Sequence, residues 1–201
     1  MIKGVKDTKL LVVPAELADS LKKMAVKHRV SLSTYVVSIL EEALRAEEMG
    51  VTLGEVLDLY RVMEIQRGAG VLQAPRSVLQ PLLSEAYKER REELRNLWFE
   101  AGRWYGQYLK TRLRDENPIG FLEEVLRYHW NLDEVSLRGD DLELLVTLVA
   151  LNLSREGTEL LACYVSGILQ SLGFKEEDCF ILEGLAKIRL KRMPEWSLKT
   201  Q

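Results

Sequence analysis

Residues 9–44, KLLVVPAELADSLKKMAVKHRVSLSTYVVSILEEAL, constrain the fold more than any other stretch, because they read as one strand and two helices in a length too short to fold alone. Lys9 to Val13 is a β-branched and leucine-rich run that predicts a strand. Pro14 stops it, since proline cannot donate to a ladder but suits the first turn of a helix. Leu17, Leu21, Met24 and Ala25 then recur at helical spacing, and Lys27-His28-Arg29-Val30 interrupts the pattern. Ser31 or Ser33 can cap a second helix, whose apolar positions Tyr35, Val36, Ile39, Leu40, Ala43 and Leu44 run on to about Gly50. The single strand has no partner within the segment, and a second copy pairing strand to strand is the simplest remedy.

The segment resembles the ribbon-helix-helix family of MetJ- and Arc-type repressors. The residues that carry the resemblance are Val13-Pro14-x-x-Leu17, Leu21-x-x-Met24-Ala25 and the turn Val30-Ser31-x-Ser33. It implies a homodimer joined through the N-terminal strand, with double-stranded DNA as partner and the paired strands in the major groove. The implied DNA-binding set is Thr8, Lys9, Leu10 and Val12 on the strand, Lys22, Lys23, Lys27 and Arg29 for phosphates, and Ser31 and Ser33 at a helix start that offers backbone N–H groups. Neither strand parity (Thr8, Leu10, Val12 or Lys9, Leu11, Val13) supplies the Arg, Lys, Asn or Gln row used in direct readout, because Leu and Val reach only thymine methyls. Two readings therefore stay open: a DNA-binding dimer, or a module that keeps dimerisation without base recognition.

At 201 residues there is room for this module and one ordinary domain. A composition 47% apolar and 29% charged belongs to a folded chain, and a net charge of −3 argues against a basic coat. Charge is uneven, however: up to Tyr35, Lys3, Lys6, Lys9, Lys22, Lys23, Lys27 and Arg29 face only Asp7, Glu16 and Asp19. A polar start, MIKGVKDTK, and the lack of a membrane-length apolar run lead to an expected cytoplasmic location with no membrane partner. Cys163 and Cys179 lack CxxC spacing and are expected as free thiols, with a bridge left open. His28 and His129 are the only histidines and form no zinc motif, so neither a metal nor another cofactor is expected.

Gly50 should end the second helix, and Thr52 with Glu55 has capping-box form ahead of Leu53, Val56, Leu57, Leu59, Tyr60 and Met63. Gly68-Ala69-Gly70 predicts a turn and Val71-Leu72 a short strand. The expected organisation is a dimerisation and DNA-binding module over 1–50, a helical connector over 51–70, and a larger domain over 71–201. The fold class is α+β, the larger domain having helices packed on an antiparallel sheet.

In the larger domain a helix from Ser77 to about Leu113 carries the face Leu97, Trp98, Ala101, Trp104, Tyr105, Tyr108 and Leu109. Gly102 and Gly106, four apart, suggest close approach of another backbone. A helix from Asn117-Pro118 to Tyr128 follows, burying Ile119, Leu122, Val125 and Leu126. Next come strands over 131–138 and 142–153 around Gly139-Asp140-Asp141, then a helix capped by Ser154 that stops at Gly173. The last strand, roughly Cys179 to Arg192, is irregular at Gly184, with Ala186, Ile188 and Leu190 inward and Lys187, Arg189 and Lys191 outward.

This order resembles the 4-vinyl reductase-type domain, whose fold is shared with haem nitric-oxide sensors and Golgi-transport (TRAPP) subunits. Phe99-Glu100-Ala101-Gly102-Arg103-Trp104-Tyr105-Gly106 and Cys163-Tyr164-Val165-Ser166-Gly167-Ile168-Leu169 carry the resemblance. It implies a sensor of small, often aromatic, ligands or a dimerising scaffold. Trp98, Trp104, Tyr105, Tyr108, Cys163 and Tyr164 are the candidate lining for a small apolar ligand, and core packing is the other reading of the same spacing. The family's zinc cluster in the last hairpin has no counterpart here, since no cysteine follows Cys179. Asp133, Glu134, Asp140, Asp141 and Glu143 make an acidic hairpin without a nucleophile or histidine beside it, and no enzymatic role is expected. The expectation is a homodimeric transcriptional regulator with a C-terminal sensor or scaffold. The alternative is a homodimeric adaptor that uses the ribbon only to assemble.

Overall fold

A computed structural model describes residues 9–113 and 117–194. The chain is α+β and divides between Leu57 and Asp58 into two compact units.

The N-terminal unit contains α1 (Ala15–Lys27) and α2 (Leu32–Glu48). Pro14 caps α1, as its fixed φ favours. Of the two serines able to cap α2, Ser31 does so: its Oγ accepts from the Thr34 N–H at 3.0 Å. Both helices end in the same way. After α2, the Val51 N–H bonds to Ala46 O and the Gly50 N–H to Glu47 O, with Gly50 at φ +80°. After α1, Arg29 takes the equivalent left-handed position at φ +57°, where glycine would cost less. The strand expected over residues 9–13 is not formed: the described residues there pair with no other strand and are exposed.

Helix α3 (Leu53–Gly68) opens with the expected capping box. Thr52 Oγ1 accepts from the Glu55 N–H at 3.2 Å, while the Glu55 carboxylate accepts from the Thr52 N–H at 2.7 Å. Val71-Leu72 is not a strand: the Val71 N–H is taken by Gln66 O in the cap that ends α3, and Leu72 is 90% exposed.

The C-terminal unit continues with α4 (Arg76–Arg112), α5 (Pro118–His129), β1 (Glu134–Gly139), β2 (Glu143–Val149), α6 (Arg155–Ser171), β3 (Phe174–Leu182) and β4 (Leu185–Arg192). Arg90, at φ −134° and ψ 43°, breaks α4 into two segments. The sheet order is β1-β2-β4-β3, antiparallel throughout, with Val146 paired to Ile188 at its centre and a bulge between Glu176 and Asp178. The irregular last strand of the sequence reading is thus a hairpin of two strands, β3 starting directly after Gly173. The second strand is shorter than expected and stops at Val149. The Ala150 N–H then turns to Gly184 O, and Leu151 is 79% exposed. The first strand begins at Glu134, past Asn131 at φ +52°.

Alternation sets the faces. Leu144, Val146 and Leu148 of β2 and Ala186, Ile188 and Leu190 of β4 are buried with Leu161, Val165, Ile168 and Leu169 of α6. Each such side chain contributes about 1.5–3 kcal/mol of burial. Against α6 lies the second segment of α4, and here the glycines act. A β-carbon on Gly106 would stand 2.7 Å from Ile168 O, and one on Gly167 would stand 3.0 Å from the Arg103 nitrogen. The two backbones touch, which fixes where the neighbouring side chains point.

Candidate functional site

In the N-terminal unit, the candidate DNA-binding residues gather around the break between α1 and α2. Lys22, Lys23 and Lys27 are exposed on α1, and exposed Arg29 sits in the turn. The His28 ring stacks on Tyr35, centroids 5.3 Å apart and planes at 19°, which pins the turn to the first residues of α2. Ser31 is occupied as the cap, also sharing a 2.7 Å hydrogen bond with the Thr34 hydroxyl, whereas Ser33 is exposed in the first turn. Acidic Glu41, Glu42, Glu47 and Glu48 lie on the second half of α2, so the basic end of the unit is distinct from its acidic end. Thr8 lies outside the described residues. Lys9 is exposed, and Leu10 and Val12 are each 91% exposed.

This unit has almost no core of its own. Among its described residues only Ala25 and Ala46 are buried. Leu17, Met24, Leu40 and Leu44, members of the apolar spacing of α1 and α2, are exposed, while Leu21, Tyr35, Val36 and Ile39 are half-buried.

In the C-terminal unit, the predicted aromatic residues form a continuous chain of rings. Trp104 stacks on Tyr108 at 5.6 Å, Tyr108 on Tyr105 at 6.3 Å, and Tyr105 on Tyr164 at 6.1 Å. Tyr164 meets Trp98 at 6.3 Å and Trp130 at 5.4 Å. Trp130, just after α5, was not singled out in the sequence; its ring lies 5.6 Å from Trp98, and an aromatic at a helix end was the available signal. The rings fill the space between one another, and Trp104 at the end is 55% exposed. Burial pushes the Tyr105 hydroxyl well above the ordinary phenol range, with Tyr164 and Tyr108 adding to the effect. Both the Tyr105 hydroxyl and Gln66 Oε1 are buried and neither completes a hydrogen bond.

The Cys163 thiol lies beside the Arg95 guanidinium. Burial raises the thiol, against the pull of that guanidinium. Burial also pushes the Cys179 thiol up to about 12; both cysteines are free and poor thiolates. One turn before Cys163 is Glu159, which the sequence reading missed. Its side chain is 8% exposed and accepts from the Tyr87 hydroxyl and from Arg91 Nη2 at 2.8 and 3.0 Å. Arg95 Nε lies 3.1 Å from the same carboxylate, at ion-pair distance but without hydrogen-bond alignment. Burial alone would raise the Glu159 carboxyl; the Tyr87 and Arg91 hydrogen bonds and the two guanidinium charges outweigh it and hold the group below the ordinary carboxylate range. A carboxylate among the apolar residues of α6 was the signal in the sequence.

The remaining charged features are structural. Asp140 Oδ1 accepts from the Leu142 and Glu143 N–H groups at 2.8 and 2.9 Å, and Asp133 Oδ2 from the Leu151 N–H at 2.8 Å, so these acids close turns. On the outer sheet face Arg189 pairs with Asp178 at 2.9 Å and Lys191 with Glu177 at 3.0 Å. That face is a shallow hollow in which Phe180 and Leu145 are half-exposed between Arg138, Lys187 and Arg189. Among the described residues no group of three or more His, Cys, Asp or Glu is placed to hold a metal, and no helix is long and apolar enough to cross a membrane.

No protein-family model matches the chain, and no curated protein matches it. Among solved structures it is similar to a point-mutant H-NOX protein from T. tengcongensis, at 9% identity and a TM-score of 0.38, over 69% of this chain and 94% of that one.

Proposed function

We propose that the chain is a homodimeric DNA-binding regulator, whose N-terminal unit pairs with a second copy and meets the phosphate backbone at the start of α2. The observation that carries this reading is the bare apolar surface of the N-terminal unit, which buries only Ala25 and Ala46, beside the exposed cluster Lys22, Lys23, Lys27 and Arg29. A second copy would pair residues 9–13 edge to edge and cover the apolar faces of α1 and α2. The basic turn and the free N–H groups of Leu32 and Ser33 would then face phosphate oxygens. The C-terminal unit serves as a scaffold or sensor. Its aromatic rings pack on one another, which supports the scaffold role.

The test is equilibrium sedimentation together with a mobility shift on mixed-sequence duplex DNA. A dimer whose DNA affinity falls by orders of magnitude between roughly 50 and 200 mM salt supports the proposal. A monomer rejects the homodimer on which the proposal rests, and a dimer that leaves DNA unshifted at low salt rejects the DNA-binding part. The second of these results fits the other reading, an assembly protein that uses the segment only to dimerise. The exposed apolar side chains of Leu10, Leu11 and Val12, where base readout would want polar ones, favour that alternative.

A further inference from the structure

The two segments of α4 are held in different ways. After Arg90, Gly102, Tyr105, Gly106 and Leu109 are buried, with backbone contact to α6. Before Arg90, no residue from Arg76 to Glu89 is buried. Gln80, Leu83, Ser84 and Tyr87 are half-covered at helical spacing, while Val78 and Leu82 are 59% and 60% exposed. The helix is also weak within this segment. Pro81 offers no N–H to the turn before it, and Arg90 leaves helical geometry altogether.

Polar ties take the place of a core. At one end, Arg76 Nη1 donates to Asn152 O at 2.6 Å. At the other, the Tyr87 hydroxyl donates to Glu159. Arg91, on the far side of the break, grips both partners of that bond. Its Nη2 reaches both Glu159 oxygens, its Nε donates to the Tyr87 hydroxyl at 2.9 Å, and its guanidinium lies 5.7 Å from the Tyr87 ring centre. One enclosed carboxylate thus joins the two segments across the kink.

We infer that residues 76–89 form a hinged strap that pivots at Arg90 and is latched against α6 by Tyr87 on Glu159 and by Arg76 on the Asn152 carbonyl. Opening the strap removes those two ties, the Arg91–Tyr87 hydrogen bond across the break and a half-buried stripe, and leaves the glycine contact and the sheet core in place. Such a segment opens below the global unfolding free energy, as a separate unit. The strap belongs to the C-terminal unit alone and does not depend on DNA binding.

Hydrogen exchange of the full chain, read by mass spectrometry, tests the latch. Tyr87→Phe removes one hydroxyl and leaves Arg91 and Arg95 on Glu159. It should speed exchange at the amides of 80–89 about tenfold, with 100–109 and α6 unchanged. Glu159→Gln should produce a larger acceleration in the same segment. Unaltered exchange at 80–89 in both variants would overturn the inference. So would equal acceleration across all of α4 and α6, because the strap would then be part of one cooperative unit.

Discussion

Gly102 of α4 lies against the Tyr164 carbonyl of α6 with no space for a side chain: a β-carbon there would stand 2.9 Å from the carbonyl carbon and 3.1 Å from Tyr164 Cα. Those neighbours are backbone and cannot rotate aside. Gly102→Ala should therefore destabilise the C-terminal unit by about 2–3 kcal/mol, although alanine is the better helix former. Gly54→Ala, where the nearest atom is Thr52 Oγ1 at 3.7 Å, should change stability by less than ~0.5 kcal/mol. Urea denaturation of the two variants checks the contrast.

Thr158 joins α6 to the β3–β4 turn. Its hydroxyl donates to Ser154 O at 2.8 Å and accepts from the Gly184 N–H at 3.0 Å, and the residue is 1% exposed. Thr158→Val keeps the shape and leaves both backbone groups without this partner, at a cost of about 2 kcal/mol; Thr158→Ser should recover more than half of it. Equal stability of the Val and Ser variants in thermal unfolding would contradict the bond's role.

The Glu159 carboxyl is held below its ordinary value in the folded chain, so its contribution is fully present above the unfolded-state value and is lost as pH falls through the folded one. Stability of the wild type should decline with acid below about pH 4.5, the ordinary value for this group, and Glu159→Gln should show a shallower decline there. Denaturant midpoints between roughly pH 3 and pH 6 measure both slopes. Identical slopes would mean that this carboxylate binds its proton equally in both states.

Leu40 is 45% exposed on α2, where a charge should be harmless to an isolated unit. If a second copy covers that face, Leu40→Lys will shift the sedimentation equilibrium toward monomer by at least tenfold in dissociation constant, the order expected for burying an unpaired charge. A variant that associates as the wild type does would place the interface elsewhere or remove it.

Local chemistry made much of this fold readable. Ser31, Gly50 and the Thr52–Glu55 pair mark helix ends because each satisfies a terminal backbone group within a few residues, and Pro14 marks one because its ring fixes φ and it brings no N–H. Gly102 and Gly106 announced a close approach without naming its partner, which is set by α6 some sixty residues on. The β3–β4 hairpin was read as one strand because its turn, Glu183-Gly184, is short and its stabilising bonds come from Thr158 and Ala150. In the candidate sites, the aromatic spacing on α4 was visible, whereas Trp130 joins it only through tertiary packing. Glu159 escaped because its meaning comes from Tyr87, Arg91 and Arg95, all far off in sequence.

The ring chain from Trp104 to Trp98 also makes the C-terminal unit its own optical reporter. The four tryptophans of the chain, at 98, 104, 130 and 196, all follow residue 57, so α1 and α2 carry no indole of their own. A fluorescence change on adding a partner would therefore arise at an indole that follows Leu57 in the chain.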